Sequence, residues 1–340
     1  MYRGSRALAA TLLAAVLVTA SACSSSDDSS SGGGASGELK KITYVTAFGA
    51  LGRDSFAWVA KEKGFFKDAG FDVDIQKGAG NTQNLTMIKS GQAQFAAMDF
   101  SGAEVLAGQG KFTDWRAVAA VHQRTLVAIM TTKDTGISKP ADLVGKKVAT
   151  GKGSVSELLF PAYAKLAGFD NKKVTIQPVQ ATALNQLMAK RQTDALSTFL
   201  LSKTALETVS KKDVVVLPYS DFLSDLFGNV IVAPTSLIAS DKDQVKRFVD
   251  AAMKGLQYTL DHPEEAAQIM NKYEQASAVP AAVAEINAMK PYSSPVNGAA
   301  LGQMDQDRVA RSIAALQGNG VMPTGLTPDK VADFSFIPAS

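Results

Sequence analysis

Residues 42–100 read ITYVTAFGALGRDSFAWVAKEKGFFKDAGFDVDIQKGAGNTQNLTMIKSGQAQFAAMDF, and this stretch decides the fold class. Three short apolar runs, at 42–46, 71–76 and 95–98, alternate with two helix-like segments that stop at Gly64 and Gly91. Small or polar residues follow each run and open the next helix. Strand, helix, strand, helix, strand is the order of a parallel sheet with helices packed on its faces. Such sheets take ligands at the carboxyl ends of their strands. Here those ends are the loops 48–54, 78–82 and 99–101.

The pattern recurs downstream. Residues 115–130 form an apolar run broken at His122-Gln123-Arg124-Thr125, which reads as a strand, a break and a second strand passing from one lobe to another. Strands follow at 148–150, 174–179, 195–199 and 214–218, with helices between them, and 229–233 returns the chain to the first lobe. From Ser240 the pattern is helical, with helices expected at 240–262, 263–272, 280–289 and 301–317 around that lobe. Helix starts are expected at Asp54 or Ser55, at Thr82, at Ser154 with Glu157 as a capping box, and at Thr182. A chain of 340 residues exceeds one ordinary core. The fold class is therefore α/β with two lobes: 39–123 as the first part of lobe 1, 124–225 as lobe 2, and 226–340 returning to lobe 1 with the C-terminal helices.

The N-terminus reads as an address. Arg3 and Arg6 precede an apolar run at 7–20, the layout of a signal peptide over 1–22. That run is too short for a membrane span. Cys23 is the only cysteine, so it has no intramolecular disulfide partner. It resembles the lipidated cysteine of bacterial lipoproteins, with Ala20 where that motif usually has Leu. Residues 24–37, SSSDDSSSGGGASG, hold nothing that could enter a core. With Cys23 they make 23–38 a lipid-anchored flexible tether, reaching on the order of 20 Å. The expected location is extracytoplasmic, lipid-anchored to the outer face of the cell membrane.

Apolar residues at 46% and charged residues at 20% exclude overall disorder. Net charge is +3, and without the first 22 residues 33 basic side chains face 32 acidic ones. That balance makes no electrostatic case for nucleic acid. His122 and His262 are too few and too far apart for a familiar metal site. GxSxG and HExxH are absent, and Gly151-Lys152-Gly153 lacks the rest of a phosphate or dinucleotide loop. No catalytic residue, metal or cofactor is expected.

Four segments, VAKEKGFF at 59–66, FDVDIQKGAGN at 71–81, SGQAQFAAMDF at 90–100 and ISKPADLVGKKVAT at 137–150, carry a resemblance in their order and spacing. Together they resemble the extracytoplasmic substrate-binding proteins of ABC importers, in the NMT1/THI5-like branch. Members of that branch bind nitrate, taurine, alkanesulfonates or thiamine-precursor pyrimidines. The likeness covers roughly 41–232. It implies the type II periplasmic binding protein fold, two α/β lobes joined by crossovers near 122–130 and 218–229. It also implies a ligand cleft between the lobes, closure by hinge bending, and docking on an ABC permease in the membrane. The yeast namesakes are enzymes with a cysteine-rich motif, to which nothing here corresponds.

Strand ends and helix N-termini line such a cleft. They select Phe48, Gly49, Arg53 and Asp54 from the first loop, Asn81 and Thr82 from the second, and Asp99, Phe100 and Ser101 from the third. The other lobe contributes Gly153, Ser154, Val155, Thr182, Thr198 and Phe199, and the inferred crossovers contribute Arg124 and Asn229. Helix capping accounts equally well for Asn81, Thr82, Ser154 and Thr182. Phe48 and Phe100 also fit a core, and His122 a hinge bond. Acids beside bases, with Phe48, Phe100 and Phe199, lean toward a small, partly aromatic nitrogenous heterocycle. A sulfonate would prefer bases without acids nearby. The function read from all this is a solute-binding protein, not an enzyme, that delivers its ligand to an ABC importer. A tethered small-molecule sensor signalling to a membrane receptor is the alternative, and a thiamine-pyrimidine synthase-like enzyme a third reading.

Overall fold

The computed structural model describes residues 38–336 apart from residue 297, so the expected signal segment and Cys23 lie outside the described residues. The quoted stretch holds β1 (Lys40–Val45), β2 (Phe48–Gly49), α1 (Ser55–Glu62), α2 (Phe65–Asp68), β3 (Phe71–Gln76), β4 (Gly78–Ala79), α3 (Asn81–Lys89) and β5 (Phe95–Asp99). Strand β1 pairs in parallel with both β3 and β5. Helix α1 is short because Gly64 follows it at φ 79°, a left-handed stop that only glycine adopts freely. Its Phe56, Trp58, Val59 and Ala60 are all buried. Helix α4 (Phe100–Gly108) starts directly at the end of β5, so Phe100 and Ser101 form a helical turn rather than the expected loop.

Next come β6 (Trp115–Ala120), β7 (Val127–Thr132), β8 (Lys147–Gly151), α5 (Val155–Leu166), β9 (Thr175–Val179), α6 (Leu184–Ala189), β10 (Ala195–Phe199), α7 (Lys203–Ser210), β11 (Val214–Pro218) and β12 (Asn229–Pro234). They complete two five-stranded sheets, ordered β3-β1-β5-β12-β6 and β11-β7-β10-β8-β9. Each is mixed: β12 runs antiparallel to β5, and β7 antiparallel to β10. The chain passes between the sheets twice, at 121–126 and 219–228. Residues 127–130, which the family resemblance assigned to a crossover, already belong to β7.

The remaining helices are α8 (Thr235–Ser240), α9 (Lys242–Asp261), α10 (Pro263–Tyr273), α11 (Val279–Ser293) and α12 (Gln306–Gly318). Helices α9 and α10 pack on α1, and α12 contacts α4. Helix α12 starts at Gln306 rather than 301 because the Asp305 carboxylate accepts the Arg308 N–H at 2.7 Å. Helix α11 touches both the 52–54 turn and the 200–202 turn of the other sheet, so it does not wrap the first lobe alone.

One apolar cluster joins the sheets, running through Met98, Phe100, Phe227, Ile129 and Val148. A second centres on Phe248, whose ring stacks on Phe95 with centroids 3.8 Å apart. Burying each such ring contributes about 2 kcal/mol. The two crossovers are stapled by Arg308, which donates to the Gln123 carbonyl and Oε1 and to the Ser224 carbonyl, with its guanidinium 4.0 Å from the Phe227 ring. Among the described residues no helix is long and apolar enough to cross a membrane.

Candidate functional site

The candidate site lies where the carboxyl ends of β1 and β5 meet the crossovers and the end of β10. Its centre is Arg53, 6% exposed, on the 52–54 turn after β1. The Arg53 Nε stands 3.6 Å from Asp54 Oδ2, an ionic contact too long for a hydrogen bond. Its guanidinium carbon lies 5.7 Å from the Phe199 ring centroid, so the first sheet's loop meets the end of the second sheet. Arg53 Nε, Asp54 Oδ2, Ser101 Oγ and His122 Nε2 are all buried with no hydrogen-bond partner among the described residues. Leaving such groups unpaired costs about 1–3 kcal/mol each, more when charged.

Burial sets the protonation of this cluster. It lifts the Asp54 carboxyl to about 6, against the pull of Arg53 and of the Ala47 and Leu51 N–H groups. It lifts Asp99 to about 7, against the Gly102 N–H and Arg53. Glu285, on α11, also rises to about 7 through burial, although it accepts the Gly52 N–H and feels Arg53. His122 is pushed down to about 3, by burial first and then by the Arg53 charge. Its Nδ1 accepts the Asn229 N–H at 3.1 Å, which assigns the proton of the neutral ring to Nε2.

Other selected residues play narrower parts. Asn81 is no cap; its amide donates to the Asp99 carbonyl at 2.8 Å and accepts the Asp99 N–H at 3.1 Å. Asp99 Oδ1 in turn caps α4 through the Gly102 N–H at 3.0 Å. Asn229 is buried at the start of β12 and opposes Asp99 across the sheet. Val155, at the start of α5, closes against α4: a Cβ on Gly102 would lie 2.6 Å from Val155 Cγ2 and 2.6 Å from Asn81 Nδ2. Ser154 caps α5, but its partner Glu157 reaches back to the Gly153 N–H instead of the Ser154 N–H a capping box requires. Thr198 is buried within β10, paired with Ala128.

Several selected residues lie away from this cluster, or do not play the part expected of them. Phe48 is 54% exposed on the small β2–β4 ribbon beside Gly49. Thr82 and Thr182 are exposed and cap nothing: α3 starts after Gly80, and α6 starts after Ala183. Asp54 sits at the start of α1 without capping it, its Oδ1 taking the Ala47 N–H at 3.3 Å instead. Phe100 is fully buried, edge-on to Phe227 at 5.9 Å, and belongs to the core. Arg124 is exposed on the first crossover. A separate groove of about 430 Å³ runs past Gln123, Gln303, Asp305 and Arg311, and its buried arginine is Arg308, already committed to the crossovers.

A hinge bond near the crossover is expected of His122 from the sequence, and Glu285 is the residue that selection by strand ends does not reach. Glu285 left a signal, being the one charged residue in VPAAVAEINAM at 279–289.

The NMT1/THI5-like family profile matches residues 55–266, more than half of the chain. The formylaminopyrimidine-binding protein of Halalkalibacterium halodurans is 23% identical over 217 residues, 64% of this chain and 65% of the relative. The riboflavin-binding protein RibY of Chloroflexus aurantiacus is 24% identical over 214 residues, 62% of this chain and 59% of the relative. The chain thus spans just under two thirds of these curated relatives. The solved periplasmic aliphatic sulphonate-binding protein SsuA of Escherichia coli superposes with a TM-score of 0.70 at 15% identity, covering 90% of this chain and 95% of that one. Its fold is that of the two sheets and two crossovers described above, and the chain belongs to the NMT1/THI5-like family.

Proposed function

We propose that this protein captures a small solute between its two sheets and delivers it to an ABC importer. The observation that carries the reading is the buried set of unpaired polar atoms, Arg53 Nε, Asp54 Oδ2 and His122 Nε2, where the two sheets meet. The solute class is a neutral nitrogenous heterocycle. Its ring N–H or amino groups would donate to the Asp54 and Asp99 carboxyls, and its ring acceptors would take Arg53 and the His122 Nε2 proton. Phe199 would supply an aromatic wall. The names of two relatives, which bind a formylaminopyrimidine and riboflavin, support this class. In the same reading, residues 1–22 direct export, Cys23 carries a lipid, 23–38 tether the protein to the outer face of the membrane, and 39–123, 124–225 and 226–340 form the clamp.

Thermal-shift measurements followed by calorimetry test it, with formylaminopyrimidine, riboflavin and ethanesulfonate as the panel. A ligand at 100 times its dissociation constant adds about 2.7 kcal/mol of stability. The heterocycle reading expects a shift with a panel heterocycle, lost in Arg53→Ala. A shift with ethanesulfonate alone sinks the solute class, and a heterocycle shift unchanged in Arg53→Ala sinks the site.

A further inference from the structure

We propose that Glu285 determines specificity in this cleft, as a carboxyl behind Arg53 whose ionised form closes the site to anionic solutes. The proposal rests on the cleft reading above and adds a residue to it. Glu285 lies beyond residues 55–266, so the family match says nothing of its role. Its position is imposed by packing. A Cβ on Gly52 would lie 2.4 Å from the Ala282 carbonyl, so the 52–54 turn sits directly against α11. Across that contact Glu285 Oε2 accepts the Gly52 N–H, one residue before Arg53.

A lone buried guanidinium would be a strong anion site, because desolvation magnifies its pairing with sulfonate or carboxylate. Arg53 is not alone. Asp54 stands 3.6 Å from its Nε, and its charge is felt by Asp99 and by Glu285. Once these three carboxyls are ionised, at mildly alkaline pH, an anion entering beside them meets like charge in a buried site, a repulsion of the size that excludes wrong partners. Glu285 does this without occupying the strand-end loops. It can therefore change without disturbing the groups that would hold a heterocycle.

The test titrates ethanesulfonate and formylaminopyrimidine into the full-length protein and its Glu285→Gln variant at a mildly alkaline pH. Glutamine keeps an oxygen for the Gly52 N–H and removes the charge. Wild type is expected to refuse ethanesulfonate, and E285Q to bind it at least about tenfold more tightly than wild type. Glu285→Ala is the second variant, with the same expected direction if E285Q does not fold. The proposal is overturned if wild type binds ethanesulfonate as well as E285Q does, or if neither folded variant gains affinity for it. Gain of ethanesulfonate with no heterocycle binding in any form keeps the proposal and removes the heterocycle reading. Heterocycle binding in all forms with no anion gain does the reverse.

Discussion

His122 Nδ1 accepts the backbone N–H of Asn229 at 3.1 Å, and so joins the first residue of β12 to the crossover that precedes β7. One ring nitrogen thus holds the hinge while the other stays unpaired. The two roles separate by mutation. His122→Asn keeps an acceptor near Nδ1 and loses the Nε2 proton. The expected outcome is a stability change within about 1–2 kcal/mol and a roughly tenfold loss of affinity for the panel ligand that binds. Paired thermal melts and calorimetry check it; unchanged affinity removes His122 from the site.

Gly102 leaves room where α4 and α5 meet. A methyl group there would crowd Val155 from one sheet and Asn81 from the other, and Asn81 is already held by Asp99. Gly102→Ala is expected to lower the ligand-free melting temperature and also lower affinity about tenfold, because overpacking of about 1–3 kcal/mol falls on Asn81 within the first sheet's half and on Val155 across the contact. Scattering with ligand should show a larger radius than wild type. An unchanged radius and affinity would show that α4 and α5 close without this contact.

The buried carboxyls give stability a pH dependence with a definite sign. Asp54, Asp99 and Glu285 hold protons more tightly when folded, so their contribution is full below about 4 and lost as pH rises through 6 to 7. His122 acts oppositely: its contribution is full above 6.5 and lost as pH falls toward 3. Three carboxyls outweigh one histidine between about pH 4 and 7, so melting temperature should peak near pH 4 and decline toward pH 8. Asp99→Asn should flatten the alkaline side, and a decline as steep as in wild type would contradict the assignment.

Arg308 staples both crossovers through charged hydrogen bonds to the Gln123 and Ser224 carbonyls. Arg308→Ala should destabilise the protein by about 3 kcal/mol. Urea unfolding measures this, and a change under about 1 kcal/mol would show that Phe227 packing alone holds the crossovers.

Cys23→Ser tests the proposed anchor. Processed wild-type protein should sediment with membranes and release on detergent, and the variant should stay soluble after signal removal. Equal partitioning of both forms contradicts lipidation at Cys23.

Much of the fold was legible because local pattern and long-range pairing agree. The three runs of 42–100 became β1, β3 and β5, and Gly64 stopped α1 as its left-handed geometry requires. The helix starts were less legible. Polar residues near a helix start have other uses: Asp54 answers Ala47, and Asn81 answers Asp99. The strand ends pointed to Arg53, Asp54, Asp99 and Phe199, but Phe48 was drawn outward by pairing of β2 with β4. Glu285 meets Gly52 across 233 positions of sequence, a separation no local pattern encodes.

Helix α11 holds Gly52 through Glu285 and, two turns later, holds the Gln123 and Arg124 N–H groups through the Tyr292 carbonyl. Seven residues of helix span roughly 10 Å. The pivot and the Arg53 turn are therefore tied to one helix, and Pro291 lies between them, where it removes one backbone hydrogen bond and gives that helix a point of bending. The same helix also touches the 200–202 turn directly after Phe199, so it meets both sheets. If the proposed closure occurs, a bend at Pro291 would let the Arg53 turn and the pivot shift relative to each other, so one residue of α11 would tune how the two halves of the clamp meet.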